Sequence, residues 1–166
     1  MKTILLLPVT VLFAFSALEL MNSSSLNDET EIKWLSLEEA QTQAGENGKP
    51  IFVFVEAEWC GTCKRMMNTV FPDPEISTLV TEYYHPVIID LDSNEQVVFN
   101  GKEKTERSFA RTMQVQQTPT MIFISSSGEV MGRQPGFMDR SELKQLLHYV
   151  LSDQFGEVPV SEFQID

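Results

Sequence analysis

The sequence predicts an α/β domain, and three observations carry the prediction. The run Lys49-Pro50-Ile51-Phe52-Val53-Phe54-Val55 is rich in β-branched and aromatic residues and reads as a buried strand. It leads directly into Glu58-Trp59-Cys60-Gly61-Thr62-Cys63-Lys64, which holds both cysteines of the 166-residue chain at the start of a helical pattern. Downstream, strand-like runs at Val87–Leu91, Thr120–Ile124 and Val130–Gln134 are separated by segments of helical period. With 42% hydrophobic residues the chain can bury one core of ordinary size. Its formal charge of −12 excludes nucleic acid and anionic membrane surfaces as natural partners.

Taken in order, residues 1–21 open with Lys2, continue through an apolar run from Ile4 to Leu18 and contain Ala14-Phe15-Ser16 as a small-x-small cleavage site. This reads as a secretory signal peptide. The alternative is a short membrane anchor, but the run falls below the roughly 20 residues a bilayer requires and Pro8 interrupts it. No cysteine follows it to accept a lipid. Residues 22–31 are a polar, flexible leader. Ile32–Leu35 is expected to form a short first strand, and Ser36-Leu37-Glu38-Glu39 is a capping box opening a helix to about Glu46, stopped by Gly45 and Gly48.

After the cysteines, Met66, Met67 and Val70 give the helix an apolar side, and the methionine pair is read as core packing in preference to a copper site. Pro72 and Pro74 break this element, and Asp73-Pro74-Glu75 opens a helix to Tyr84. The polar stretch Ser93–Arg107 is expected to be a solvated loop; its Asn100-Gly101 signal makes a small hairpin the alternative. A helix from Glu106 to Met113 then delivers the chain to Thr118-Pro119. A tight Ser125-Ser126-Ser127-Gly128 turn joins the last two strands, and Asp139 with Glu142 caps a final helix to about Leu151. The domain is thus expected over 32–151, with an acidic, mobile tail over 152–166.

The chemistry should lie in Cys60-Gly61-Thr62-Cys63. A two-residue spacer at a helix start brings two sulfurs close enough to cycle between dithiol and disulfide. At that N-terminus, unpaired N–H groups and the positive dipole end favour the Cys60 thiolate, whereas Cys63, one turn in, should be shielded. Cys60 is therefore the attacking thiol and Cys63 the resolving one. A Cys2His2 zinc site would also need His85 and His148, and neither is expected at this end of the fold, so no metal is assigned.

Beyond the cysteines, Ala57-Glu58-Trp59-Cys60-Gly61-Thr62-Cys63-Lys64 resembles the active-site stretch of the thioredoxin superfamily, and Gln117-Thr118-Pro119-Thr120-Met121-Ile122-Phe123-Ile124 resembles its cis-proline loop and following strand. Gly128-Glu129-Val130, Gly136 and Leu143–Leu147 resemble that family's closing hairpin and last helix. The chain is most similar to extracytoplasmic, periplasmic thioredoxin-like thiol-disulfide oxidoreductases, including the C-terminal domain of the transmembrane reductant conductor. The resemblance implies a thioredoxin-like fold with a central mixed sheet of four or five strands flanked by helices. It also implies a cis bond before Pro119, with Thr118 offering its backbone edge to an extended substrate. Trp59, Gly61 and Thr62 are candidate substrate-contacting residues beside the sulfurs.

Two departures from the family pattern matter. Thr62 stands where cytoplasmic thioredoxins carry proline, and no histidine occupies the spacer, which favours a reductant over an oxidant. The buried acid six residues before the first cysteine is replaced by Phe54. Because strand side chains alternate, Glu56 faces the same side and is a candidate substitute, shuttling the Cys63 proton. The expected activity is dithiol-disulfide exchange with disulfide-containing exported proteins, with no cofactor and with a membrane thiol conductor as electron donor. The alternatives are a disulfide oxidase or isomerase, a non-catalytic client-binding module and a metal chaperone.

Overall fold

The structure, a computed structural model, describes residues 31–165. The signal segment and all but the last residue of the leader lie outside the described residues. The elements run α1 (Leu37–Asn47), β1 (Ile51–Glu56), α2 (Gly61–Thr69), α3 (Pro74–Tyr83), β2 (His85–Asp90), β3 (Gln96–Phe99), β4 (Lys102–Thr105), α4 (Glu106–Thr112), β5 (Thr120–Ile124), β6 (Val130–Pro135) and α5 (Arg140–Leu151). A four-stranded mixed sheet has the order β2-β1-β5-β6, with β1 and β2 parallel and β5 and β6 antiparallel to their neighbours.

β1 is central and separates two cores by side-chain alternation. Phe52 and Phe54 face one side with Met121, Phe123, Met66 of α2, Ile76 and Val80 of α3, and Leu143 and Leu147 of α5. Ile51, Val53 and Val55 face the other with Ile89, Ile122, Leu37 and Ala44 of α1, and Phe109 of α4. A strand covered on both faces reads as an unbroken apolar run, which is why 51–55 lacks a polar alternate. The first core is unusually aromatic: Trp34, Phe52, Phe54, Phe71, Tyr84 and Phe123 meet at centroid distances of 4.9–6.4 Å. The one hydroxyl in this group, on Tyr84, donates to the Leu147 carbonyl at 2.6 Å and so ties α5 to the core.

Local signals account for most helix boundaries. Ser36 and Glu39 form the capping box at α1, Asp73 caps α3 with Pro74 at its first turn, and Asp139 with Glu142 caps α5. Gly48, at φ 79°, ends α1, whereas Gly45 is carried inside the helix.

Three expectations are corrected. Ile32–Leu35 is not a strand: only Leu35 bridges to Val87, because the cap at Ser36 turns the chain into α1 at once and Trp34 is drawn edge-on to Phe71 at 5.3 Å. The segment 93–107 is not a solvated loop but the β3–β4 hairpin, turning at Asn100 and Gly101, both left-handed. Phe99 anchors it against Phe109 at 5.2 Å, and Gln41 of α1 clamps it by donating to Val98 O at 2.7 Å and accepting Asn100 N–H at 2.9 Å.

The tail, as far as residue 165, is packed and not free. Phe163 is buried, Phe155 stacks near Tyr149, and Gln145 donates to the Val160 and Phe163 carbonyls. Its acidic composition hid four aromatic and aliphatic anchors, Phe155, Val158, Val160 and Phe163, that join the core α5 shares. The Tyr149 hydroxyl both donates to Val158 O at 2.7 Å and accepts Gly156 N–H at 2.9 Å. Tyr149→Phe should therefore cost about 1–2 kcal/mol of stability and accelerate hydrogen exchange at the Gly156 amide, measured by chemical denaturation and exchange spectroscopy.

Candidate redox site

The site lies beyond the carboxyl end of β1, where three elements converge. After Glu56 the chain makes a turn in which Cys60 N–H donates to Ala57 O at 2.9 Å, and α2 begins with Cys60 as its N-cap. Cys60 and Cys63 form a disulfide with Cα atoms 5.3 Å apart. The Cys60 Sγ accepts the Cys63 N–H at 3.1 Å, taking the place a serine or aspartate oxygen takes at other helix starts. Thr62 Oγ1 is 3.5 Å from the same sulfur, and because a disulfide sulfur carries no hydrogen, the hydroxyl is the donor. Two donors and the helix dipole thus converge on the Cys60 Sγ, the environment that favours a thiolate once the bond is reduced.

Cys60, placed by the sequence at the exposed end of the helix, is only 3% exposed, with Cys63 at 0%. The order of accessibility remains Cys60 before Cys63. Gly61 carries no steric constraint within the chain, since a Cβ there would meet nothing within 4 Å. Trp59 is 68% exposed and is not packed into the core; its indole N–H donates to Asp92 Oδ2 at 2.7 Å. Asp92, at the end of β2, was not singled out from the sequence. Its only sequence signal is the Asp90-Leu91-Asp92 pattern closing a buried strand.

On the other side of β1, Val55 pairs with Thr120 in antiparallel register, so Pro119 and Thr118 continue β5 past the end of β1 toward the cysteine turn. The Thr118–Pro119 bond is cis. Pro119 O accepts Gly136 N–H at 2.8 Å, which brings the β6–α5 loop to the site, and there the Arg65 guanidinium of α2 stacks over the Phe137 ring at 4.5 Å. Thr118 Oγ1 is the one buried side-chain polar atom without a hydrogen-bond partner among the described residues.

Glu56 ends β1 beside Asp90 of β2, its parallel partner. Burial pushes its carboxyl above the ordinary range, the neighbouring Asp90 charge pushes it further, and the Lys64 ammonium of α2 partly offsets both. Glu106 of α4 lies in the same quarter. Burial raises it as well, against hydrogen bonds from Ser93 and from the Asp90 N–H. The histidines are elsewhere: His85 opens β2 opposite Ile51, at the far end of the strands from Cys60, and faces Asn47 Oδ1 at 3.0 Å. Burial and Lys49 lower its pKa. His148 sits in the last turn of α5. Among the described residues no group of three His, Cys, Asp or Glu side chains is arranged to hold a metal ion.

A thioredoxin-like domain family model matches residues 37–151, and the chain belongs to that family. Among its relatives is the thiol:disulfide interchange protein DsbD of Photorhabdus laumondii, 26% identical over 128 residues that make up 76% of this chain and 20% of that protein. The chain therefore spans about a fifth of the length of the DsbD proteins it matches. Among solved structures, a putative disulphide-isomerase from Bacteroides thetaiotaomicron is 28% identical at a TM-score of 0.59, covering 74% of this chain and 95% of that one. The oxidised C-terminal domain of DsbD from Neisseria meningitidis shares the fold at 19% identity and a TM-score of 0.54, covering 67% of this chain and 89% of that one.

A carboxyl held above its ordinary pKa in the folded state favours folding when protonated, so its effect on stability worsens as pH rises through the folded value. Glu56→Gln is accordingly expected to raise the melting temperature at pH 7, with the gain shrinking as pH falls toward about 4.5. Thermal unfolding of the oxidised protein across that range checks it.

Proposed function

We propose that this protein is a thiol-disulfide oxidoreductase that reduces disulfide-containing exported proteins. The observation that carries the reading is the Cys60–Cys63 disulfide at the N-terminus of α2, with Cys60 Sγ accepting the Cys63 N–H. In the dithiol form the Cys60 thiolate attacks one sulfur of the substrate disulfide. A Cys60–substrate bond forms, and the first substrate sulfur leaves as a thiolate and takes up a proton. Cys63 then loses its proton and its thiolate attacks Cys60 Sγ. The second substrate sulfur leaves, the Cys60–Cys63 bond closes, and two electrons have passed to the substrate.

Glu56 is the proposed acceptor of the Cys63 proton. Its place on the Phe54 face of β1 and its raised pKa support this, because a carboxyl brought nearer to neutrality exchanges protons more readily with a thiol. Thr118 and Pro119 are the proposed docking edge: Pro119 has no N–H to satisfy, and the Thr118 backbone beside the cis bond is the edge offered to an extended substrate segment. Trp59, Gly61 and Thr62 complete the contact surface. The spacer lacks a histidine that would stabilise the Cys60 thiolate and make the pair strongly oxidising. The protein acts outside the cytoplasm, exported or anchored by its N-terminal segment, and is recharged by a membrane thiol conductor. DsbD, matched over this domain, is named for thiol:disulfide interchange, which supports the exchange chemistry.

The test is direct. Cys60→Ser should abolish disulfide reduction, and Cys63→Ser should accumulate the Cys60 mixed disulfide, visible by non-reducing electrophoresis and mass spectrometry. Equilibration in thiol buffers should give a reduction potential near or below about −230 mV, whereas a value near −120 to −180 mV would assign the oxidase or isomerase direction. No reversible transition would leave a client-binding module.

A further inference from the structure

Trp59 is the most exposed large hydrophobic side chain among the described residues, and little packing fixes its ring. What orients it is one hydrogen bond to Asp92, itself an exposed residue beyond the last paired position of β2. Asp92 is in turn held by its neighbours. Its N–H donates to Asp90 Oδ1 at 2.8 Å, and its carbonyl accepts a short bond from Arg107 Nη2. The Arg107 N–H donates to Ser93 O at 3.1 Å, so one residue grips this turn through both side chain and backbone. Glu106 reaches the same turn, its Oε2 accepting Asp90 N–H at 3.4 Å while its own N–H donates to Glu95 O at 3.0 Å.

Glu106 and Arg107 begin α4 directly after the β3–β4 hairpin, which Gln41 clamps to α1. A connected path therefore runs from α1 through Gln41 to the hairpin, along the chain into Glu106 and Arg107, and by hydrogen bonds on to Asp92 and the Trp59 ring. The active-site helix contributes none of them.

We propose that Arg107 and Glu106 are positioning residues for the redox site: by fixing the Asp90–Ser93 turn they hold Trp59 ready to receive a protein disulfide. This rests on the oxidoreductase reading. A ring held in place beforehand loses no side-chain freedom on docking, so the effect falls on recognition of a large substrate. It does not fall on sulfur chemistry, since neither residue bonds to Cys60 or Cys63. Small disulfides, which need no docking surface, are indifferent to it.

The experiment combines indole N–H nuclear magnetic resonance, in which the two tryptophans give separate signals, with steady-state kinetics. Wild type, Arg107→Ala, Arg107→Lys and Glu106→Ala are compared, with Asp92→Ala as reference for a released ring. In Arg107→Ala the Trp59 signal should move toward that of Asp92→Ala while Trp34 stays. The KM for insulin disulfides should rise about threefold or more with kcat little changed. The rate with 5,5′-dithiobis(2-nitrobenzoate) and the reduction potential should hold, and Arg107→Lys should recover part of the loss. If Arg107→Ala does not fold, Arg107→Gln carries the same expectation, and Glu106→Ala, whose carboxyl lies with Asp90 beside Glu56, is read by the indole signal alone.

A Trp59 signal unmoved in Arg107→Ala and Glu106→Ala, but moved in Asp92→Ala, overturns the proposal. So does a moved signal with an unchanged KM. Should wild type reduce no disulfide at all, the oxidoreductase reading fails by itself, while the indole signal still decides whether Arg107 and Glu106 hold the ring.

Discussion

Burial of β1 on both faces and between two strands is the constraint on which the molecule depends. Pairing with β2 and β5 satisfies its backbone, and its alternating side chains nucleate one core per face. A strand so constrained cannot slip by one residue without sending Phe52 and Phe54 into the wrong core. Its end is therefore a fixed point, and Cys60 follows that end by four residues. The precision of the sulfur site is inherited from the packing of an apolar strand that takes no part in the chemistry.

The same fixed end explains the electrostatics. Glu56 and Asp90 terminate parallel neighbours, so their carboxyls are brought together by strand register alone, and Glu106 joins them because α4 packs across β2. One cation, Lys64, faces Glu56 from the active-site helix. Burial, with the Asp90 charge adding to it, raises the carboxyls of both Glu56 and Glu106. Phe54 itself stands in the aromatic core, and the carboxyl of this strand, Glu56, comes two residues later at its end.

What was legible in the sequence was what local chemistry specifies. The capping residues Ser36, Asp73 and Asp139 marked three helix starts, the run 51–55 marked the central strand, and the cysteine spacing with Thr118-Pro119 marked the site. What was not legible depended on distant partners. Residues 96–105 are polar enough to read as loop despite the Asn100-Gly101 turn signal, and the contact of Phe99 with Phe109 and the clamp from Gln41 seat them as a hairpin. Asp92 is unremarkable as a residue type; it matters because folding sets it 2.7 Å from an indole 33 positions earlier. The tail misled for a related reason, since net charge hides a few well-spaced apolar anchors.

That tail also separates two meanings of the word domain. The family model ends at Leu151, yet Tyr149, Leu146 and Val150 of α5 share their core with Phe163, and the Phe155 ring lies 3.5 Å from where a Cβ on Gly132 would stand. The packed unit of this protein is thus longer than the stretch the family model matches. Gly132 lies on a strand at the edge of the sheet, and a side chain there would begin in ordinary van der Waals contact with that ring. A comparison confined to residues 37–151 would leave that ring, and with it part of what covers α5, out of account.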